Sequence, residues 1–215
     1  MPRSHFPTAL LGAALGLACL SVQAAEFQFS GDLYNNTDRV SISFEVIGNG
    51  TVSLWTDSWN SGQNFDPISV LWRQSSDDYV LIQEVDDNDG VALGQGFYDT
   101  GMTFGSALAA GHYLYVVGAS FAEPFAKGNL LSQGYAQDGI IPTPIALWNQ
   151  PSYDINANDQ KGTSYSIRLS GVETATITTA VPEPTSTAMM LVGLLVMGGI
   201  ARRRSLPNAN HEYPV

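Results

Sequence analysis

The sequence predicts an all-β fold, an antiparallel β-sandwich of jelly-roll-like form, flanked by an N-terminal signal peptide and a C-terminal transmembrane helix. Three observations carry this reading. From about Glu26 to Ser170 apolar and polar residues alternate in short runs, the two-residue period of strands that bury one face. The runs are separated by Gly, Asn and Asp, which favour turns through positive φ or side-chain hydrogen bonds to the local backbone. Few stretches repeat at the helical period.

The strands follow in order. Phe27 to Leu33 comes first; then Val40, Ile42, Phe44 and Val46 point one way, while Ser41, Ser43 and Glu45 point the other. Val52 and Leu54 continue that apolar face after Gly48-Asn49-Gly50, and the Asn-Gly pair predicts a hairpin there, since both positions tolerate positive φ. Further strands are expected at Ile68 to Trp72, Tyr79 to Glu84, Tyr113 to Ala119 and Thr163 to Leu169, with a weaker one at Thr174 to Thr178. Two long stretches, Asp86 to Ala110 and Ser120 to Gly162, read as irregular. The second is too long for an idle connection, and its Phe121, Phe125, Tyr135, Trp148 and Tyr153 are expected to cap one end of the core.

Net charge is −11 and the isoelectric point about 4.4, which disfavours nucleic acid and anionic lipid as partners. Arg3, Arg202, Arg203 and Arg204 lie outside the expected domain, so only Arg39, Arg73, Lys127, Lys161 and Arg168 remain within it. The single cysteine, Cys19, sits in the N-terminal apolar run, so a processed product holds no thiol, disulfide or thiolate metal site.

Both ends read as addresses. Arg3 followed by the apolar run Ala9 to Leu20 has the length of a secretory signal peptide, and small residues place cleavage before Ala25 or Glu26. Acylation of Cys19 as a lipoprotein is the competing reading, disfavoured by Gly16 three residues before it. At the other end Pro182-Glu183-Pro184 precedes an apolar run, Ala188 to Ala201, and then Arg202, Arg203 and Arg204. The prolines stop a strand from running on and expose an extended segment. The apolar run is short for a span, and the three arginines hold the end on the cytoplasmic side. The expected organisation is therefore a signal peptide at 1–25, a sandwich at 26–172, a Thr-rich linker at 173–180, a sorting segment at 181–204 and a cytoplasmic tail at 205–215.

This order of Pro-Glu-Pro, apolar helix and basic cluster resembles the PEP-CTERM sorting signal of Gram-negative bacteria. The resemblance implies that an exosortase, a membrane cysteine protease, processes the chain near Pro182-Glu183-Pro184 after the secretion machinery has exported it. The membrane then serves as a temporary anchor, and the envelope or an extracellular polysaccharide matrix as the destination. The tail from Ser205 to Val215 is longer than is usual after the arginines, and a plain C-terminal anchor is the alternative. Within the domain, Phe29-Ser30-Gly31-Asp32-Leu33, Phe65-Asp66-Pro67, Asp86-Asp87-Asn88-Asp89-Gly90 and Ala110-Gly111-His112-Tyr113 resemble ectodomains related to the pre-peptidase C-terminal sandwich. That resemblance implies a non-enzymatic accessory module.

The densest chemical constellation is the loop Glu84, Asp86, Asp87, Asn88, Asp89. Carboxylates at this density suit Ca²⁺, though the spacing is not that of an EF-hand, because Val85 and Gly96 would stand at its acidic first and twelfth positions. A Ca²⁺ site must then be assembled from separate loops, with Asp66, stiffened by Pro67, joining Asp86, Asp87 and Asp89, and Asp99 as a weaker contributor. The alternative is a set of solvated turn residues. Of the three tryptophans around Gly62 to Phe65, parity places Trp55 outward, the best of them for stacking on a sugar, with core packing as the alternative. Catalytic residues are expected to be none. His112 is the one histidine left after processing, expected partly buried at a strand start, and Gly118-Ala119-Ser120-Phe121-Ala122 lacks the second glycine of a nucleophile elbow. An envelope hydrolase is the least favoured reading.

Overall fold

The computed structural model describes residues 25–48, 50–106, 108–121, 124–151 and 160–178. The signal-peptide region with Cys19, the apolar C-terminal run, Pro182, Glu183, Pro184 and Arg202, Arg203, Arg204 lie outside the described residues.

Among the described residues nine strands form two antiparallel sheets: β1 (Glu26–Asp32), β2 (Arg39–Val46), β3 (Val52–Thr56), β4 (Pro67–Ser75), β5 (Asp78–Val85), β6 (Gly101–Phe104), β7 (Gly111–Ala119), β8 (Ser164–Ser170) and β9 (Thr174–Ile177). One sheet has the order β1-β8-β3-β6 and the other β5-β4-β7-β2-β9. There is no α-helix among the described residues, only three short 3₁₀ turns. The alternation explains the packing. Val40, Ile42, Phe44 and Val46 on β2 and Tyr113, Tyr115 and Val117 on β7 turn inward to meet Val52, Leu54, Met102, Ile167 and Leu169 of the facing sheet, and all are buried. Phe44 stacks on Tyr113 with centroids 5.4 Å apart, adding to the roughly 1.5–3 kcal/mol that full burial of such a side chain contributes.

Three expectations are corrected. Gly48 to Gly50 does not close a hairpin: β2 pairs with β7 and β9 while β3 pairs with β6 and β8, so the turn carries the chain from one sheet to the other. The apolar face is continuous across it because both strands look into the same core. β6 lies in the stretch expected to be irregular, and at four residues it is too short to show a clear period. The weaker strand expected at Thr174 to Thr178 is present as the edge strand β9, in register with Ile42 to Glu45, within the stretch also read as a Thr-rich linker. His112 is exposed, opposite Glu45 across the β2–β7 ladder.

The long segment after β7 does pack on the sandwich: Ile145 is buried in the main core with Trp148 packed against it, and the earlier part of the segment covers a sheet face. Ile68, Val70, Trp72 and Val116 form a second apolar surface on the outside of the five-stranded sheet, and Phe125 and Tyr135 cover it. The carboxylate of Glu84 accepts the backbone N–H groups of Phe125 at 2.9 Å and Ala126 at 2.6 Å, which fixes where this cover lands. Arg39 lies 4.2 Å over the Tyr135 ring and pairs with Asp138 at 2.8 Å. Burial, only partly offset by Arg39, pushes the Tyr135 phenol up to about 12. Trp148 and Phe121 touch with centroids 4.7 Å apart, and Tyr153 lies outside the described residues.

Gly171, between β8 and β9, has φ +77°, and a Cβ there would run into the Thr51 backbone carbonyl. Gly171→Ala is expected to lose at least about 2 kcal/mol in urea unfolding, combining left-handed strain with a backbone clash. Gly105→Ala, where a Cβ meets open space, is the control expected within about 1 kcal/mol of the parent.

Candidate functional site

Two places at the loop ends of the sandwich gather polar chemistry. The first follows from the β4–β5 register. These strands run antiparallel with Ser69 opposite Val85, so Asp66, just before β4, comes beside Asp86 and Asp87, just after β5. One carboxylate oxygen from each of Asp66, Asp86 and Asp87 lies within 4.8 Å of the others. Asp66 is buried and Asp87 exposed. Gln150, fully buried, fixes this corner: its Oε1 accepts the Asp66 N–H at 2.8 Å, and its Nε2 donates to the carbonyls of Asp66 at 2.8 Å and Ser120 at 2.9 Å. Ser120 N–H in turn donates to the Asp66 carbonyl. Desolvation raises the Asp86 carboxyl above the ordinary range; a hydrogen bond from Ser120 opposes this and the charge of Glu84 adds to it. Asp89 is exposed and is not part of the group.

Asp99 serves a different purpose. It is buried, and its Oδ1 accepts from Thr56 Oγ1 at 2.8 Å, Ser58 N–H at 3.0 Å and Trp59 N–H at 3.1 Å, while its Oδ2 accepts from Gly96 N–H at 2.7 Å. This carboxylate ties the end of β3 to the 88–99 loop. The residues it positions border the second place, a cleft of about 480 Å³. It is lined by Asp57, Ser58, Asn60 and Asn64, by Gly96 of the 88–99 loop, and by Tyr165 of β8. Asn60, Ser61 and Gly62 at its rim have φ of 50°, 56° and 84°, three consecutive left-handed residues of which two carry side chains. Asn64 Nδ2 holds the turn by donating to the Ser58 carbonyl at 2.8 Å. Within the wall Ser58 Oγ and Asp57 Oδ1 are buried with no hydrogen-bond partner. Asp57 Oδ2 accepts from Arg168 Nε at 2.6 Å, and Arg168 also pairs with Glu26 at 2.7 Å.

Trp55 does face away from the core, as parity requires, but it is only 7% exposed. Its ladder partner Gly101 lies under Val91 and Gln95, so the 88–99 loop closes over this part of the sheet. Trp55 is therefore no open stacking platform; Trp59 and Trp72 are buried too. Two aromatics among the described residues stand well exposed, Tyr34 and Phe97, and Phe97, 65% accessible, is edge-on to Tyr98, which is edge-on to Trp59. Sequence reasoning missed Phe97, because no strand period marks a loop residue. Its one signal was the Gly94-Gln95-Gly96 run before it, where a Cβ on Gly96 would strike the Trp59 ring.

Residues 180–205 match the family described as the PEP-CTERM protein-sorting motif. The segment bearing Pro182, Glu183, Pro184 and Arg202, Arg203, Arg204 is thus a sorting signal, and it implies export and an exosortase as processing partner. No curated protein matches the chain.

Asp99→Ala would strand four donors away from water, each unmet buried group costing about 1–3 kcal/mol. The variant is expected to lose about 3 kcal/mol or more in denaturant unfolding. A loss below about 1 kcal/mol would show that the carboxylate does not organise the loop.

Proposed function

We propose that this chain is an exported, non-enzymatic protein of the cell envelope or extracellular matrix. In this reading its sandwich is carried out by the secretion machinery, held briefly at the membrane by the apolar run, and passed on by an exosortase acting near Pro182-Glu183-Pro184. The sorting motif at residues 180–205 carries the reading. The non-enzymatic part rests on residue inventory: once both terminal segments are removed no cysteine remains and His112 is the single histidine. Extracellular polysaccharide is the proposed surrounding, which an acidic, cysteine-free sandwich can occupy without disulfide chemistry.

The test is processing in a host that carries an exosortase. Mass spectrometry of the wild-type product is expected to show loss of the segment that follows the Pro-Glu-Pro motif. Pro182→Ala/Glu183→Ala/Pro184→Ala is expected to remain full-length in the membrane fraction. Equal processing of both chains would refute the assignment.

A second reading is favoured by one observation, the approach of the Asp66, Asp86 and Asp87 carboxylates to within 4.8 Å. Three like charges at this distance repel unless a cation or protons intervene, and hard oxygen donors suit Ca²⁺. The raised Asp86 carboxyl fixes the sign of the pH response. The folded state holds that proton more tightly than the unfolded state, so its contribution favours the fold at low pH and fades as pH rises through the raised value. Ca²⁺ would take the proton's place. Thermal melts of the full-length chain at neutral pH are expected to rise with Ca²⁺ over chelator, and Asp86→Asn is expected to raise the calcium-free melt while abolishing the Ca²⁺ increment. Identical melts with and without Ca²⁺ would sink the cation site.

A further inference from the structure

The cleft between the left-handed turn and the 94–96 segment falls within the roughly 300–1,000 Å³ of small-molecule sites, but its lining is unlike a typical apolar pocket. Hydroxyl and amide groups from Ser58, Asn60, Asn64, Gln95, Ser164 and Tyr165 dominate it. Neutral groups that both donate and accept suit ligand hydroxyls. No cation is among the residues that line the cleft, and Arg168, which neighbours it, is engaged by Asp57 and Glu26, so the lining itself offers no charge to hold a phosphate or carboxylate. Ser58 is a buried residue whose hydroxyl lacks a partner, although its backbone is fully used, with N–H to Asp99 and carbonyl to Asn64. An unmet buried hydroxyl costs the fold free energy, and its retention in a cleft wall points to a partner from outside. Two non-glycine residues held at positive φ on the rim are strain of the kind found at ligand clamps. Beside this polar floor stands an apolar one. Phe97, next in sequence to Gly96 of the lining, offers an exposed ring held edge-on to Tyr98, which is itself edge-on to Trp59.

From this juxtaposition we propose that the cleft binds a neutral polysaccharide, one sugar unit seated against Ser58, Asn60 and Tyr165 and a neighbouring unit lying with its C–H face on Phe97. The hydroxyls of the first unit exchange hydrogen bonds with the wall, and the second buries an apolar face that water covers otherwise. The proposal rests on reading the sandwich as delivered outside the cell, where such polymers are met. It does not use the carboxylates of Asp66, Asp86 and Asp87.

The test is affinity electrophoresis of the full-length chain, purified in a detergent without a sugar headgroup, through gels containing hydroxyethyl cellulose, dextran, galactomannan or the anionic polymer alginate. At least one neutral polymer is expected to retard the wild-type chain, and alginate is not. Ser58→Ala removes only the partnerless hydroxyl, so its melting temperature is expected to be unchanged while its affinity falls about threefold or more. Phe97→Ala, at an exposed ring, is expected to weaken retardation about fivefold or more with little change in melting. Absence of retardation by all three neutral polymers overturns the proposal, as does retardation by alginate alone or undiminished retardation of both variants. None of these results bears on processing at Pro182-Glu183-Pro184, so failure of the cleft and failure of the sorting assignment are separable.

Discussion

The loop end of this sandwich depends on one buried carboxylate. Asp99 collects a hydroxyl from β3, two backbone N–H groups just beyond it and a fourth donor from Gly96. A charged acceptor within a low-dielectric interior makes these bonds stronger than neutral ones, and leaves no cheap alternative if they break. Thr100 extends the same network: its N–H donates to Thr56 Oγ1, while its own hydroxyl donates to the Val85 carbonyl and lies 2.7 Å from Ser69 Oγ on the opposite sheet. Polar groups thus join the two sheets where apolar packing gives out, and both the cleft and the acidic corner hang from that junction.

The fold was legible because its period is simple. Val40, Ile42, Phe44 and Val46 alternate without a break, and a sheet with one buried face admits one register for such a run. What the same rule could not supply was which strands pair. Gly48 to Gly50 carries the residues of a hairpin turn, yet it serves a crossing between sheets, since turn chemistry specifies a reversal and not the sheet in which the returning strand lies. β6, four residues long, falls below the length at which alternation separates from chance, and β9, equally short, reads only as a weak strand.

The sites were legible in part, for a physical reason. Asp66 and Asp86 come together because they stand at the two ends of a paired β4–β5 unit, and a strand reading already implies such neighbours. Asp99 reads from the sequence as a weaker cation ligand; three of its four donors come from Thr56 to Trp59, some 40 positions earlier, and no local pattern announces them. Trp55 was read by parity alone. Parity gives the side of the sheet on which a side chain stands, and only the tertiary course of the 88–99 loop decides whether that side is open.

Charge then narrows what the exported sandwich can meet. A chain with net charge −11 and few cations repels anionic polymers at long range, and its best placed arginines, Arg39 and Arg168, are spent on Asp138, Asp57 and Glu26. Two ways remain to engage a polymer outside the cell. One is to recruit a cation where carboxylates already crowd, as at Asp66, Asp86 and Asp87; the other is to use uncharged hydroxyl, amide and aromatic groups, as in the cleft beside Phe97. The short segment from Asp57 to Asp66 borders both places and is held by Asp99 at one end and Gln150 at the other. Rigidity at those two points is what a binding surface needs, because side chains already fixed lose little entropy when a ligand arrives.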